Sequence, residues 1–224
     1  VEGNGQRELV RAITGLRKAD SGTVKLLGID LAGLSIKEIR GLGMAHIPQD
    51  RLSVGVAQDS SILENLVSVS YDSETFCRGP FLDLSSMTDW SRKSIEDFQI
   101  KTGSEETPIR MLSGGNIQKV VVAREFQTNA RCIVADQPTR GIDVGAAQFI
   151  HRKLMELRDS GAAVLLVSAD LSEVMDVSDS LIVMYGGRIT AYFPRASEVA
   201  EEELGLYMLG IRQQTAEEIQ GCLA

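Results

Sequence analysis

The stretch CIVADQPTRGID, residues 132–143, decides how this chain folds. Apolar and small residues run without a break to an acid at Asp136, Gln137 follows, and a Pro-Thr turn ends the pattern. A short apolar run bounded by turn residues reads as a buried strand. A strand leading into a polar turn explains the polarity, but not why a carboxylate should close so apolar a segment.

Similar runs at 24–27, 44–47, 163–167 and 181–184 also read as strands, most of them buried. Helical spacing appears at 8–17, where Leu9, Ile13 and Leu16 share a face, and again at 117–127, 146–159 and 171–177. Strands alternating with helices predict an α/β fold with a mainly parallel sheet covered by helices. Residues 50–111 break the alternation. They are rich in Ser, Asp and Gly, with helical patterns at 61–67 and 89–100 and no buried strand, and predict an inserted helical subdomain. The expected organisation is a core at 1–49, a helical subdomain at 50–115, a second part of the core at 116–199, and a tail at 200–224. In that tail a docked helix near 201–209 should precede a frayed end.

With 224 residues and 43% hydrophobic content, the chain can build a sizeable core as one domain or two small ones. No run approaches the roughly 18 apolar residues of a spanning helix, and the start lacks the regions of a secretion signal, so a soluble, unsecreted protein is expected. Cys77, Cys132 and Cys222 are scattered singly, which argues against a disulfide framework or a zinc site and suits a reducing cytosol. Lys plus Arg total 23 against 31 Asp plus Glu, a net charge of -8, with no basic run or aromatic platform; nucleic acid is not an expected partner.

Several stretches carry chemistry. In EGNGQRE, residues 2–8, Gly3, Asn4 and Gly5 can turn backbone N–H groups toward an anion while the following helix aims its positive end at the same spot. An ordinary glycine turn capping a helix would look the same. A phosphate loop usually ends in Lys and then Ser or Thr; here Gln6 and Arg7 stand there. Losing that lysine would weaken phosphate binding about tenfold or more unless Arg7 substitutes. HIPQD, residues 46–50, puts Gln49 at a strand end, where its amide could reach a metal or water, or simply be solvated. LSGGNIQK, residues 112–119, joins the Ser113 hydroxyl, two glycine amides and a helix start; beside an N-cap it suits an anion site, since Gly-Gly weakens the helix just where it begins. Asp136 is placed to hold magnesium, while Gln137 cannot serve as a general base. In LLVSADLSEV, residues 165–174, Asp170 reads as a helix cap.

Taken in this order, the stretches resemble the nucleotide-binding domain of ABC transporters over essentially the whole chain. LSGGN is similar to the family's signature motif, Gln49 to its Q-loop, Asp136 and Gln137 to the Walker B pair, and residues 141–143 to its D-loop; Ala169 falls where the switch histidine belongs. The resemblance implies ATP and Mg2+ as cofactors. It places nucleotide contacts at Gly3, Asn4, Gly5, Gln6, Arg7, Gln49, Ser113, Gly114, Gly115, Asn116, Gln118 and Asp143, and magnesium at Asp136 with Gln49. The catalytic positions fall on Gln137 and Ala169.

EGNGQREL, HIPQDR, ADQPTRGIDVGA and EELGLYMLG further resemble the second half of tandem ATP-binding subunits that serve bacterial importers of nucleosides and simple sugars such as ribose and galactose. That likeness implies an upstream catalytic ABC domain, membrane permease subunits, a substrate-binding lipoprotein acting indirectly, and a peripheral place on the cytoplasmic face of the membrane. It also implies that the family's first glycine and its feeding strands lie before Val1. With each ATP held between two domains, the altered Gln6, Arg7, Gln137 and Ala169 predict slow or absent hydrolysis at this domain's own site, while its signature completes a partner's. A non-transport ABC-type ATPase of repair or translation, and a non-hydrolysing nucleotide-binding module, are the rival expectations.

Overall fold

The apolar run at 132–135 is a buried central strand, and the rest of the fold is built outward from it. A computed structural model describes residues 2–222. In chain order the elements are α1 (Gln6–Ile13), β1 (Lys25–Leu26), β2 (Ile29–Asp30), α2 (Ile36–Gly41), β3 (Met44–Ile47), a one-turn π-helix (Arg51–Gly55) and α3 (Ile62–Val67). There follow β4 (Cys77–Arg78), β5 (Phe81–Leu82), α4 (Leu84–Asp97), α5 (Gly114–Phe126), β6 (Cys132–Asp136), α6 (Val144–Asp159) and β7 (Ala163–Val167). The chain continues through α7 (Leu171–Val177), β8 (Leu181–Tyr185), β9 (Arg188–Phe193), α8 (Glu201–Met208) and α9 (Ala216–Gly221). It divides into two units, one of residues 40–165 and one combining residues up to 39 with those from 166 onward.

In the unit of residues 40–165, β3 and β6 pair in parallel, Met44 opposite Cys132 through Ile47 opposite Ala135, and β6 is the middle strand of the order β3-β6-β7. Ala45, Ile47, Ile133, Val134 and Ala135 are fully buried. Helix α5 covers them and is apolar on nearly every side, as a helix enclosed by its neighbours must be. Its one buried acid, Glu125, is 1% exposed and takes hydrogen bonds from Arg40 Nη2 at 2.8 Å, the His46 backbone N–H at 3.2 Å and Arg124 Nε at 2.9 Å. That buried ion cluster ties α2, β3 and α5 together. Within 50–111, α3 starts at Ser61 with a reciprocal capping box to Glu64, and α4 is capped by Asp83. Val67, Phe76 and Met87 form a small core there, with Trp90 edge-on to Phe76 at 5.3 Å between ring centroids.

In the other unit β8 and β9 form an antiparallel hairpin whose buried face, Leu181, Val183 and Ala191, packs against Leu204 and Tyr207 of α8.

The structure corrects several expectations. The run at 24–27 does hold a strand, but not one of the parallel sheet: β1 pairs antiparallel with β2 in a two-stranded sheet, Leu26 is its buried residue, and Leu27 is exposed with φ 51°. The run at 181–184 belongs to the β8-β9 ribbon rather than the parallel sheet. Helix α1 ends at Ile13, not 17, because the chain turns at Gly15 with φ 76°. Helix α4 begins at Leu84, five residues before the expected start at 89. The tail beyond 209 is not simply frayed, since Thr215 and Glu218 form a capping box that starts α9.

Candidate functional site

The residues singled out from sequence fall in both units, and each group is described within its own. In the first group Gly3 and Gly5 have φ 89° and 100°, backbone that glycine adopts at no steric cost, and α1 begins directly after them. The Asn4 backbone N–H donates to Gln6 Oε1 at 2.9 Å. A glutamine can turn back on the loop in this way because it carries an acceptor; a lysine has none. The loop is also fastened to the β8-β9 turn: Gly187 N–H donates to the Asn4 carbonyl and Gly186 N–H to Asn4 Oδ1, both at 3.0 Å. A Cβ at Gly5 would sit 3.0 Å from Gly187 Cα, so this close approach also requires glycine. Arg7 is exposed. At the end of β7, Ala169 is exposed and carries no group that could hold a proton; Asp170 caps α7 through the Glu173 N–H at 3.2 Å, as expected.

In the second group the parallel register of β3 and β6 brings three candidates to one edge. Gln49 lies two residues past Ile47, Asp136, 8% exposed, ends β6, and Gln137 follows it. Carboxyl ends of parallel strands are where ligands bind in open α/β sheets. Gln137 has φ 52°, left-handed backbone that costs a non-glycine residue of order 1–3 kcal/mol and that clusters at functional positions. Its carbonyl accepts from Arg140 N–H at 3.1 Å and closes the turn into Gly141. A buried carboxylate and an amide at one sheet edge are hard oxygen donors of the kind that suit Mg2+, which keeps much of its water and uses one or two carboxylates with substrate phosphates. Among the described residues no group of three or more His, Cys, Asp or Glu could hold a metal by itself.

The stretch at residues 112–119 is tied to its neighbours by several side-chain hydrogen bonds. Ser113 occupies the N-cap position of α5, yet its side chain makes no capping hydrogen bond; its exposed Oγ instead accepts from Asn116 Nδ2 at 2.9 Å. Asn116 Oδ1 in turn accepts from the Lys101 N–H at 2.8 Å. Asp143 caps α6 through the Ala146 N–H at 2.9 Å and lies against Gly115, where a Cβ would be 3.0 Å from Asp143 Oδ2 and 3.1 Å from Ala146 Cβ. Gln118 lies elsewhere: it is 2% exposed inside α5 and does not share the open start of the helix with Ser113.

Two features were missed from sequence. Arg51, directly after HIPQD, donates from Nη1 to the Arg140 carbonyl at 2.6 Å and from Nη2 to the Gly141 carbonyl at 3.2 Å. No local pattern announces a contact that spans about ninety positions. His46 is held below its ordinary pKa, at about 4, chiefly because burial disfavours its charged form; the nearby Glu125 opposes this, and Arg40 and Arg124 add to it.

A sequence model of the ABC transporter family matches residues 2–140. The chain is 44% identical over 221 residues to the guanosine import ATP-binding protein NupO of Bacillus subtilis (strain 168), an alignment covering 99% of this chain and 43% of that protein. It is 37% identical over 210 residues to the nucleoside import ATP-binding protein NupA of Lactococcus lactis subsp. cremoris (strain MG1363), covering 94% of this chain and 41% of that protein. The chain therefore spans less than half the length of these curated relatives. Among solved structures, a nucleotide-free ATP-binding cassette from an ABC transporter superposes with a TM-score of 0.69 at 25% identity, over 100% of this chain and 85% of that one.

Proposed function

The chain belongs to the ABC transporter family, and on that premise we propose that it is the second ATP-binding domain of a tandem subunit energising import of nucleosides or related simple sugars. The observation that carries this is the contrast between its two half-sites. In the phosphate loop the Asn4 N–H is taken by Gln6 Oε1, whereas Ser113 Oγ at the head of α5 is exposed and makes no capping bond. The first arrangement supports weak or unproductive phosphate binding at the domain's own site. The second supports a signature half that works in trans. NupO and NupA are named for guanosine and nucleoside import, and the chain spans 43% and 41% of them, which suits one half of a two-domain subunit.

Gly3 and Gly5 shape a cradle within their own unit; the sequence carries no acid after Asp136 and no histidine at 169. A missing general base typically costs 10² to 10⁴ in rate, so ATP bound here is turned over slowly or not at all. Asp136 with Gln49 would hold the Mg2+ that offsets phosphate charge when nucleotide is bound. Across the interface Ser113, the amides of Gly114 and Gly115 and the positive end of α5 are aimed at the γ-phosphate of the catalytic partner. Membrane attachment is peripheral, through permease subunits; among the described residues no helix is long and apolar enough to cross a membrane.

The test is the ATPase of the full-length subunit assembled with its permease. Ser113→Arg abolishes turnover, and Gln6→Ala costs far less. Equal losses from the two variants would refute the asymmetry.

A further inference from the structure

Arg51 sits where three motifs meet. It lies two residues after Gln49 and opens the one-turn π-helix, which Asp50 caps through the N–H groups of Leu52 and Ser53 at 3.2 and 3.0 Å. The far end of that turn is held to α5, the Gly55 carbonyl accepting from Arg124 Nη1 at 2.8 Å. From this anchored base the guanidinium reaches the carbonyls of Arg140 and Gly141. It also fills the space beside Gly114: a Cβ there would stand 3.0 Å from Arg51 Nη2. Arg51 Nε is buried without a hydrogen-bond partner among the described residues, and the two terminal nitrogens hold the carbonyls.

Helix stability gives no reason for this placement. A cation at the N-terminal end of a helix faces the positive end of its dipole, the unfavourable side. The position makes sense as a brace. It bonds the turn that follows Gln137 to the segment leaving Gln49 and lies against the first residue of α5.

We propose that Arg51 is a positioning residue that locks the signature half-site, Ser113 with the amides of Gly114 and Gly115, to the turn at residues 140–141, so that the two present to a partner's nucleotide as one piece. This rests on the signature acting in trans as proposed above. Arg51 itself touches no nucleotide in this scheme; it fixes where the groups that do are held. A lysine cannot replace it, because one ammonium does not span two carbonyls as the planar fork does.

The experiment is steady-state ATPase of the full-length subunit assembled with its permease, comparing Arg51→Ala, Arg51→Lys and Ser113→Arg with the wild type. Both Arg51 variants lower kcat by roughly tenfold or more, the scale of a lost charge-assisted pair of hydrogen bonds, while KM for ATP stays within about twofold. A variant that merely loosened the fold would lose assembled protein without this split. If Arg51→Ala fails to assemble, Arg51→Lys decides, since it keeps the charge and the stem. Wild-type kcat in Arg51→Lys, with Ser113→Arg inactive, overturns the brace and leaves the trans half-site standing. Wild-type turnover in Ser113→Arg overturns both.

Discussion

Removing Glu125 should destabilise the unit of residues 40–165 more than any exposed charge change. Its carboxylate is 1% exposed and receives Arg40 Nη2, the His46 N–H and Arg124 Nε within 3.2 Å. Glu125→Ala leaves Arg40, with a side chain 24% exposed, and a backbone donor without this acceptor, and leaves Arg124, 11% exposed, with its bond to the Gly55 carbonyl but no counter-charge here. Breaking a buried ion pair from one side typically costs about 3–5 kcal/mol. Glu125→Gln keeps one acceptor but turns an amide donor toward either Arg40 and His46 or Arg124, so its loss should lie between Ala and the wild type. With a urea slope of roughly 1–3 kcal/mol per molar, the Ala variant moves the unfolding midpoint down by about 1–5 M. Trp90, the only tryptophan in the chain, lies in the same unit, so its fluorescence follows the right transition. Exchanging all three charged residues for apolar ones of similar size should recover most of the loss, because the desolvation cost disappears with the charges. A midpoint shift under about 0.3 M for Glu125→Ala would refute the reasoning.

His46 makes stability depend on pH. Its folded pKa, about 4, lies below the ordinary 6.5, so between those values the unfolded chain binds a proton the native chain refuses, and stability rises with pH. The contribution is fully present above pH 6.5 and is lost as pH falls toward 4, at most about 3 kcal/mol; urea midpoints across this range should flatten in His46→Gln. Gly115→Ala presses a methyl against Asp143 Oδ2 and Ala146 Cβ, a cost of about 1–3 kcal/mol that about 1 kcal/mol of helix propensity partly offsets, so thermal melting should show a net loss of up to about 2 kcal/mol. Asp143→Ala removes the α6 cap at about 1 kcal/mol but also clears one side of that clash, so melts of the double variant should show less than the sum of the two losses.

How much of this was legible in the sequence follows from where the forces are local. The strand β6 was readable because every face of it is buried, so its apolar run has no gaps; α6 was readable from its helical spacing and α7 because Asp170 caps it in sequence, whereas the Asp143 cap was not read as one. The run at 181–184 was equally apolar, yet Ile182 is exposed while Leu181 and Val183 are buried. An unbroken apolar stretch hides that alternation and with it the ribbon pairing. The start of α4 was missed because Leu84 is exposed and breaks the apolar spacing, although Asp83 marked the cap. The α9 cap, Thr215 with Glu218 three residues on, was a local signal that the acidic composition of the tail obscured. For the candidate site, residue types pointed to the phosphate loop, the strand-edge pair and the signature. The fold-back of Gln6 on Asn4 and the reach of Arg51 to residues 140 and 141 were not legible, since a side chain's choice of partner is settled by packing rather than by spacing.

The central claim is that this domain's own phosphate loop does not drive hydrolysis while its signature serves a partner. The most direct measurement is to photolabel the working full-length transporter with azido-ATP carrying separate labels on the α- and γ-phosphates, then isolate the peptide spanning the phosphate loop at residues 2–7. The claim predicts that any nucleotide retained there still carries its γ label after many turnovers of the complex, or that none is retained. Loss of the γ label from nucleotide held at that loop, at the turnover rate of the whole complex, would contradict it.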